Sequence, residues 1–96
     1  MLLRRTNYFI KWFDKLPGNI QLIISRNIEK LYISNFSNCK SVGDGVHELK
    51  IDFQRGYRVY FTNNSGIIII LLLGGDKSTQ KQDIKKAKQI KKSLEI

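Results

Sequence analysis

The sequence predicts an α+β fold, a small antiparallel sheet with an N-terminal helical hairpin and a C-terminal helix. Three observations carry it. Apolar residues recur at helical spacing through residues 9–31, with a Pro17-Gly18 break between two such runs. Strict alternation from Glu48 to Phe53 is followed by two runs of strong β-formers with turn residues between them. The last segment again places Ile84, Ala87, Ile90 and Leu94 at helical spacing.

In chain order, Leu2 to Arg5 reads as a short strand of weak pattern. Thr6 is an N-cap for a helix beginning near Asn7, whose inner face is Phe9, Trp12, Phe13 and Leu16. A second helix runs over residues 20–33, with Ile20, Ile23, Ile24, Ile28 and Leu31 as its apolar stripe. Residues 34–46, rich in Ser, Asn and Gly, read as a loop. Residues 47–53 and 57–61 form a hairpin around Gln54-Arg55-Gly56. Pairing Phe53 with Tyr57, Ile51 with Val59 and Leu49 with Phe61 puts all six on one face. The other face then carries Lys50, Arg58 and Tyr60, with Asp52 opposite Arg58. After Asn63-Asn64-Ser65-Gly66, Ile67 to Leu73 is a central strand, apolar on both sides and so covered on both. Gly74-Gly75 reads as a tight strand-to-helix turn, and Thr79 with Gln82 as a capping box for the last helix.

At 96 residues the chain is expected to be one domain, residues 1–96. A formal charge of +9 favours anionic partners: nucleic acid, an acidic protein or an anionic membrane. One Cys and one His exclude an internal disulfide and a closed Cys/His zinc site, so no metal or other cofactor is expected. The opening Met1-Leu2-Leu3-Arg4-Arg5 lacks the apolar region of a secretory signal, and the longest apolar run, Ile67 to Leu73, is far short of the roughly 20 residues of a membrane span. A cytoplasmic protein without a membrane partner is therefore expected.

Lys50, Arg58 and Tyr60 on one face suit RNA. Lys and Arg neutralise phosphate, and Tyr stacks on bases. The competing reading is a solvated sheet face with an Asp52–Arg58 cross-strand pair. The terminal lysines, Lys81, Lys85 and Lys88 among them, either bind RNA or solvate the helix. His47 as general base competes with a surface histidine, and Cys39 has no evident base beside it. Gly-Gly-Asp-Lys-Ser lacks the spacing of a phosphate loop.

Four stretches together resemble a known family: Phe9-x-x-Trp12-Phe13-x-x-Leu16, Glu48-Leu49-Lys50-Ile51, Gly56-Tyr57-Arg58-Val59-Tyr60-Phe61, and Leu72-Leu73-Gly74-Gly75-Asp76-Lys77-Ser78-Thr79-Gln80 with Asp83-Ile84 and Ala87. The chain is similar over nearly its whole length to the addiction-module killer proteins, the HigB-like branch of the RelE/ParE toxin superfamily. The resemblance implies the order β-α-α-β-β-β-α and a toxin of a type II toxin–antitoxin pair. It implies a ribosome-dependent mRNA endoribonuclease in which a ribose 2′-OH attacks the adjacent phosphate. The implied partners are the ribosome, mRNA and a helix-turn-helix antitoxin that blocks the toxin.

Carried onto this chain, the resemblance makes Lys50, Arg58 and Lys77 the charge-stabilising residues. Arg58 stands at the basic position of the family's third strand. Lys50 stands where the branch commonly has Arg, and Lys77 lies in the loop before the last helix. RelE has a tyrosine near the start of that helix; this chain offers Gln80, as an RNA contact, and Asp83, as a base or a helix-start carboxylate. Gyrase inhibition, known in the ParE branch, and a non-catalytic RNA- or ribosome-binding module are the alternatives the fold leaves open.

Overall fold

The computed structural model describes residues 2–94. Met1 of the opening segment and the last two positions of the expected 1–96 domain lie outside the described residues. The elements are β1 (Leu2–Arg5), α1 (Asn7–Asp14), α2 (Gly18–Tyr32), β2 (Cys39–Gly43), β3 (Val46–Ile51), β4 (Tyr57–Asn64), β5 (Ile68–Asp76) and α3 (Gln80–Leu94). A single 3₁₀ turn, Lys77–Thr79, leads into α3. The sheet order is β1-β5-β4-β3-β2. Only β1 runs parallel to its neighbour, β5, so the α+β class stands but the sheet is mixed rather than purely antiparallel.

Thr6 joins the first strand to the first helix. Its hydroxyl accepts from the Phe9 amide at 3.1 Å, which caps α1, and donates to the Leu72 carbonyl at 2.7 Å, which ties that helix start to β5. The helices α1 and α2 then cover one face of the sheet, where Phe9, Ile20, Ile24 and Leu31 pack on Leu49, Val59, Phe61, Ile69 and Leu71. On the opposite face α3 packs Ala87 and Ile90 over Val46, Tyr60, Leu72 and Leu73. Burial on both faces explains the unbroken apolar run of β5.

Five expectations need correction. The segment 34–46 is not all loop, because it contains β2 and the first residue of β3. The chain reverses at Gly43-Asp44-Gly45, whose φ angles of 96°, 55° and 76° are all positive. The β3–β4 register is also offset: Ile51 pairs with Tyr57, Lys50 with Arg58 and Glu48 with Tyr60. The loop 52–56 holds more chain than expected because Gln54 and Gly56 adopt positive φ (49° and 72°) and the Phe53 and Gly56 amides donate back to the Ile51 and Phe53 carbonyls. The offset is two residues, so side chains keep their expected faces while their partners change. Asp52 therefore does not face Arg58.

At the end of the chain, Thr79 does not form a capping box with Gln82. Its hydroxyl donates to Asp83 Oδ2 at 2.6 Å, while Asp76 caps the 3₁₀ turn by accepting from the Ser78 amide at 2.8 Å. Leu94 is exposed rather than packed inward. Gly74 and Gly75 lie inside β5, not in a turn. A β-bulge at the Tyr60/Phe61 step places both Leu72 and Leu73 on the α3 side. Gly74 then faces α1, where a Cβ would overlap the Trp12 ring, and Gly75 faces α3, where it would overlap the Asp83 carboxylate. Each glycine is required by what lies across it.

Candidate nucleic-acid interface and reaction cleft

The face of β3 and β4 beside α3 concentrates charge. Glu48 sits at its centre, 1% exposed, opposite Tyr60 and two residues along from the Lys50–Arg58 pair. Its Oε1 lies 3.6 Å from Arg58 Nε and 3.7 Å from Lys40 Nζ, and its Oε2 accepts from Gln80 Nε2 at 2.8 Å. The Arg58 side chain is 7% exposed, and its Nη1 donates to the Gly56 and Tyr57 carbonyls at 3.0 and 3.3 Å. The Arg58–Glu48 contact is thus Coulombic rather than a hydrogen-bonded fork, and Arg58 Nε keeps no hydrogen-bond partner.

A cleft of about 710 Å³ opens beside this group, lined by Lys40, Glu48, Lys50, Asp52, Arg58 and Gln80 with the edge of α2 behind them. A second depression shares Lys50, Asp52 and Arg58 with it and adds Arg55 and Lys77. Lys77 packs over Gly56 beside the Arg58 guanidinium. Lys50 is half exposed and lies 3.6 Å from Asp52. The structure therefore brings Lys50, Arg58 and Lys77 together around one continuous opening. Cations outnumber carboxylates there, which suits a phosphodiester backbone.

Other expected site residues fall elsewhere. Tyr60 is fully buried beneath α3, so no base stacks on it in this arrangement. Its hydroxyl makes no hydrogen bond, and its pKa is pushed far up, first by burial and then by the Glu48 carboxylate. Gln80 is spent on Glu48. Asp83 is turned into the strand against Gly75 and held by Thr79. Burial, with the Asp76 charge adding to it, raises its pKa above the ordinary carboxylate value. It is thus a packed strut, not a base open to the cleft. Lys81 and Lys85 are exposed on α3, whereas Lys88 lies 3.5 Å from Asp44 of the β2–β3 turn. His47 stacks on Phe61, on the other side of the sheet. Burial pushes the Cys39 thiol up to about 11, the opposite of an activated nucleophile.

The residues missed from sequence are Glu48 and Lys40. Glu48 had a signal, since it alternates on the same face as Lys50. Lys40 had none without β2.

Residues 11–95 match the model of the family described as phage derived protein Gp49-like (DUF891). The chain belongs to the Gp49-like family. A Haemophilus influenzae protein described as "Uncharacterized protein" is 45% identical over 93 residues, covering 96% of this chain and 94% of that one. Among solved structures, a mutant of the E. coli toxin RelE in the free state superposes with TM-score 0.68 at 13% identity, covering 88% of this chain and 95% of RelE. The toxin of the intact E. coli RelBE toxin-antitoxin complex gives 0.65 at 15%, covering 78% and 94%. This Gp49-like protein therefore has the RelE fold. Among its described residues there is no cluster able to hold a metal and no helix long and apolar enough to cross a membrane.

Proposed function

We propose that this Gp49-like protein is the toxin of a type II toxin–antitoxin pair, a HigB-like endoribonuclease that cuts mRNA on the ribosome in the cytoplasm. The observation that carries the reading is the convergence of Lys50, Lys77 and Arg58 on one open cleft of a RelE-fold sheet. In that cleft the ribose 2′-oxygen attacks the adjacent phosphorus, the 2′-hydroxyl proton leaves, and the bond from phosphorus to the 5′-oxygen breaks as that oxygen takes up a proton. The products are a 2′,3′-cyclic phosphate and a 5′-hydroxyl end.

Lys50 and Lys77 meet the non-bridging oxygens from the rim, and Arg58 adds positive potential from the floor. Glu48 and Gln80 position Arg58 and the cleft wall. Asp83 and Tyr60 are packed away, so the acceleration rests on orientation and charge stabilisation rather than on a strong side-chain base. The helix-turn-helix antitoxin would silence the protein by covering the same cations.

The test is a translation reaction with purified ribosomes and one defined mRNA, mapping new 5′ ends with and without the protein. Ends that appear only with ribosomes present support the reading. Intact mRNA with folded protein refutes it, and a purified gyrase supercoiling assay then decides whether the fold serves the ParE-type role.

A further inference from the structure

Loop 52–56 and Lys77 wall a depression of about 410 Å³ beside the reaction cleft. Its cations are Lys50, Arg55, Arg58 and Lys77. The carboxylate in its wall, Asp52, lies 3.6 Å from Lys50. Asp76 stands nearby. Its carboxyl is held below the ordinary value first by the Ser78 hydroxyl and amide, from which it accepts, and more weakly by the Arg55 charge. The depression keeps an excess of positive charge open to an anion.

The two arginines differ in what they can still bind. A fork on a phosphate needs two adjacent N–H groups of one guanidinium. Arg58 Nη1 is spent on the Gly56 and Tyr57 carbonyls, and its Nε is buried. Every adjacent pair on that guanidinium includes one of these two atoms, so Arg58 lends charge but cannot form a fork. Arg55 is exposed, and its guanidinium makes no hydrogen bond or ion pair among the described residues. It is the arginine of the depression with a fork to offer.

The loop holds Arg55 in that place. Gln54 before it and Gly56 after it both take positive φ, 49° and 72°. That region is uncommon for a residue such as Gln54, and strain of this kind persists only where the surroundings impose it. Here the Gly56 amide closes the turn by donating to the Phe53 carbonyl at 3.0 Å. A Cβ on Gly56 would also stand 3.3 Å from Arg58 Nη1 and 3.5 Å from Lys77 Cβ. The turn that ties down Arg58 through the Gly56 carbonyl therefore also presents Arg55 beside Lys77.

We propose that Arg55 is a phosphate clamp. It takes, through two parallel hydrogen bonds, the phosphate next to the scissile one on a single RNA strand, while Lys50, Lys77 and Arg58 serve the scissile phosphate. The clamp sets the register of the strand over the cleft. The proposal deepens the nuclease reading and rests on it for which phosphate is cut, but the binding is measured without ribosomes and without cleavage.

The experiment titrates the full chain with two 2′-O-methyl RNA probes, a dinucleotide with one phosphate and a trinucleotide with two, both ending in hydroxyls, and follows amide shifts by NMR. The second phosphate is expected to tighten binding about tenfold, as a hydrogen-bonded charge does. Arg55→Ala should erase most of that gain and leave the one-phosphate probe bound as before. On the trinucleotide it should also lower the salt slope by about 0.7. Arg55→Lys should keep the slope but recover only part of the affinity, because an ammonium brings the charge without the fork. Urea unfolding curves of both variants should match the parent, since the side chain is exposed.

A gain that survives Arg55→Ala, an equal loss on both probes, or no binding of either probe overturns the clamp. So does Arg55→Lys binding as tightly as the parent, which would reduce Arg55 to unspecific charge. Ribosomal cleavage is scored separately. Cleavage whose KM is unmoved by Arg55→Ala removes the clamp alone, and two-phosphate binding by a parent that cuts nothing on the ribosome removes the nuclease alone.

Discussion

Glu48→Gln isolates the charge at the centre of the cleft. The amide keeps the size of the side chain and still accepts from Gln80, so the perturbation is the loss of one negative charge. Two unit charges 3.6 Å apart attract by about 4–5 kcal/mol at an effective dielectric constant near 20. Side-chain exposures of 2% for Glu48 and 7% for Arg58 leave little water to take over. Breaking a buried pair from one side typically costs about 3–5 kcal/mol, because the remaining charge stays buried without compensation. In a domain of this size that lowers Tm by at least about 10 °C. Urea unfolding followed by Trp12 fluorescence, backed by a thermal melt, measures it. Adding Arg58→Met removes the stranded cation, so the double variant should recover most of the loss. Glu48→Gln within about 1 kcal/mol of the parent, or a double variant less stable than either single one, would refute the argument that Arg58 depends on Glu48.

Further outcomes follow from other contacts. Gly74→Ala forces a methyl into the Trp12 ring and should cost about 1–3 kcal/mol in urea unfolding, as overpacking usually does. Asp83 has a raised folded pKa, so its contribution favours the native state at acid pH and is lost as pH rises through that pKa. Asp83→Asn should therefore be more stable than the parent at pH 7, with the gap closing on acidification in unfolding curves. Asp76, held down by its Ser78 hydrogen bond, has the reverse sign: Asp76→Asn should be the less stable protein at pH 7, and its deficit should shrink as pH falls. Cys39, raised to about 11, should alkylate slowly with iodoacetamide at pH 8 and fast in urea, as mass spectrometry would read. On the proposed nuclease function, Lys50→Ala and Lys77→Ala, both rim residues, should each slow ribosomal cleavage by roughly 10²-fold with unfolding curves unchanged.

Periodicity made most of the fold legible. The stripes of α1 and α2, the alternation of β3 and the two-sided apolarity of β5 each state which neighbour buries them. Face assignment survived the register error because side chains alternate with period two and the error was two. The strand β2 was hidden because Cys39-Lys40-Ser41-Val42-Gly43 carries little β-forming bulk; pairing with β3 holds it in place. Its one local signal, Asp44-Gly45, is a reversal dipeptide set among other turn-formers. The cleft was half legible for the same reason. Lys50 and Arg58 share a face by alternation, but the burial of Tyr60 depends on where α3 lands, and the diversion of Asp83 into Gly75 depends on a bulge that no pattern announces.

The parallel pairing of Leu2 with Ile68 has a consequence for synthesis. The strand β1 is made before β5 and has no neighbour until β5 appears, and Thr6 waits for Leu72 across 66 residues. Both hydrophobic layers draw on β5, so a nascent or prematurely terminated chain lacking that strand is missing the inner strand that both layers share and that joins β1 to the rest of the sheet. Folding is then deferred until β5 has been made, and fragments that stop short of it should be degraded rather than active. A harmful activity built on this scaffold would come into being all at once, only after β5 has been made.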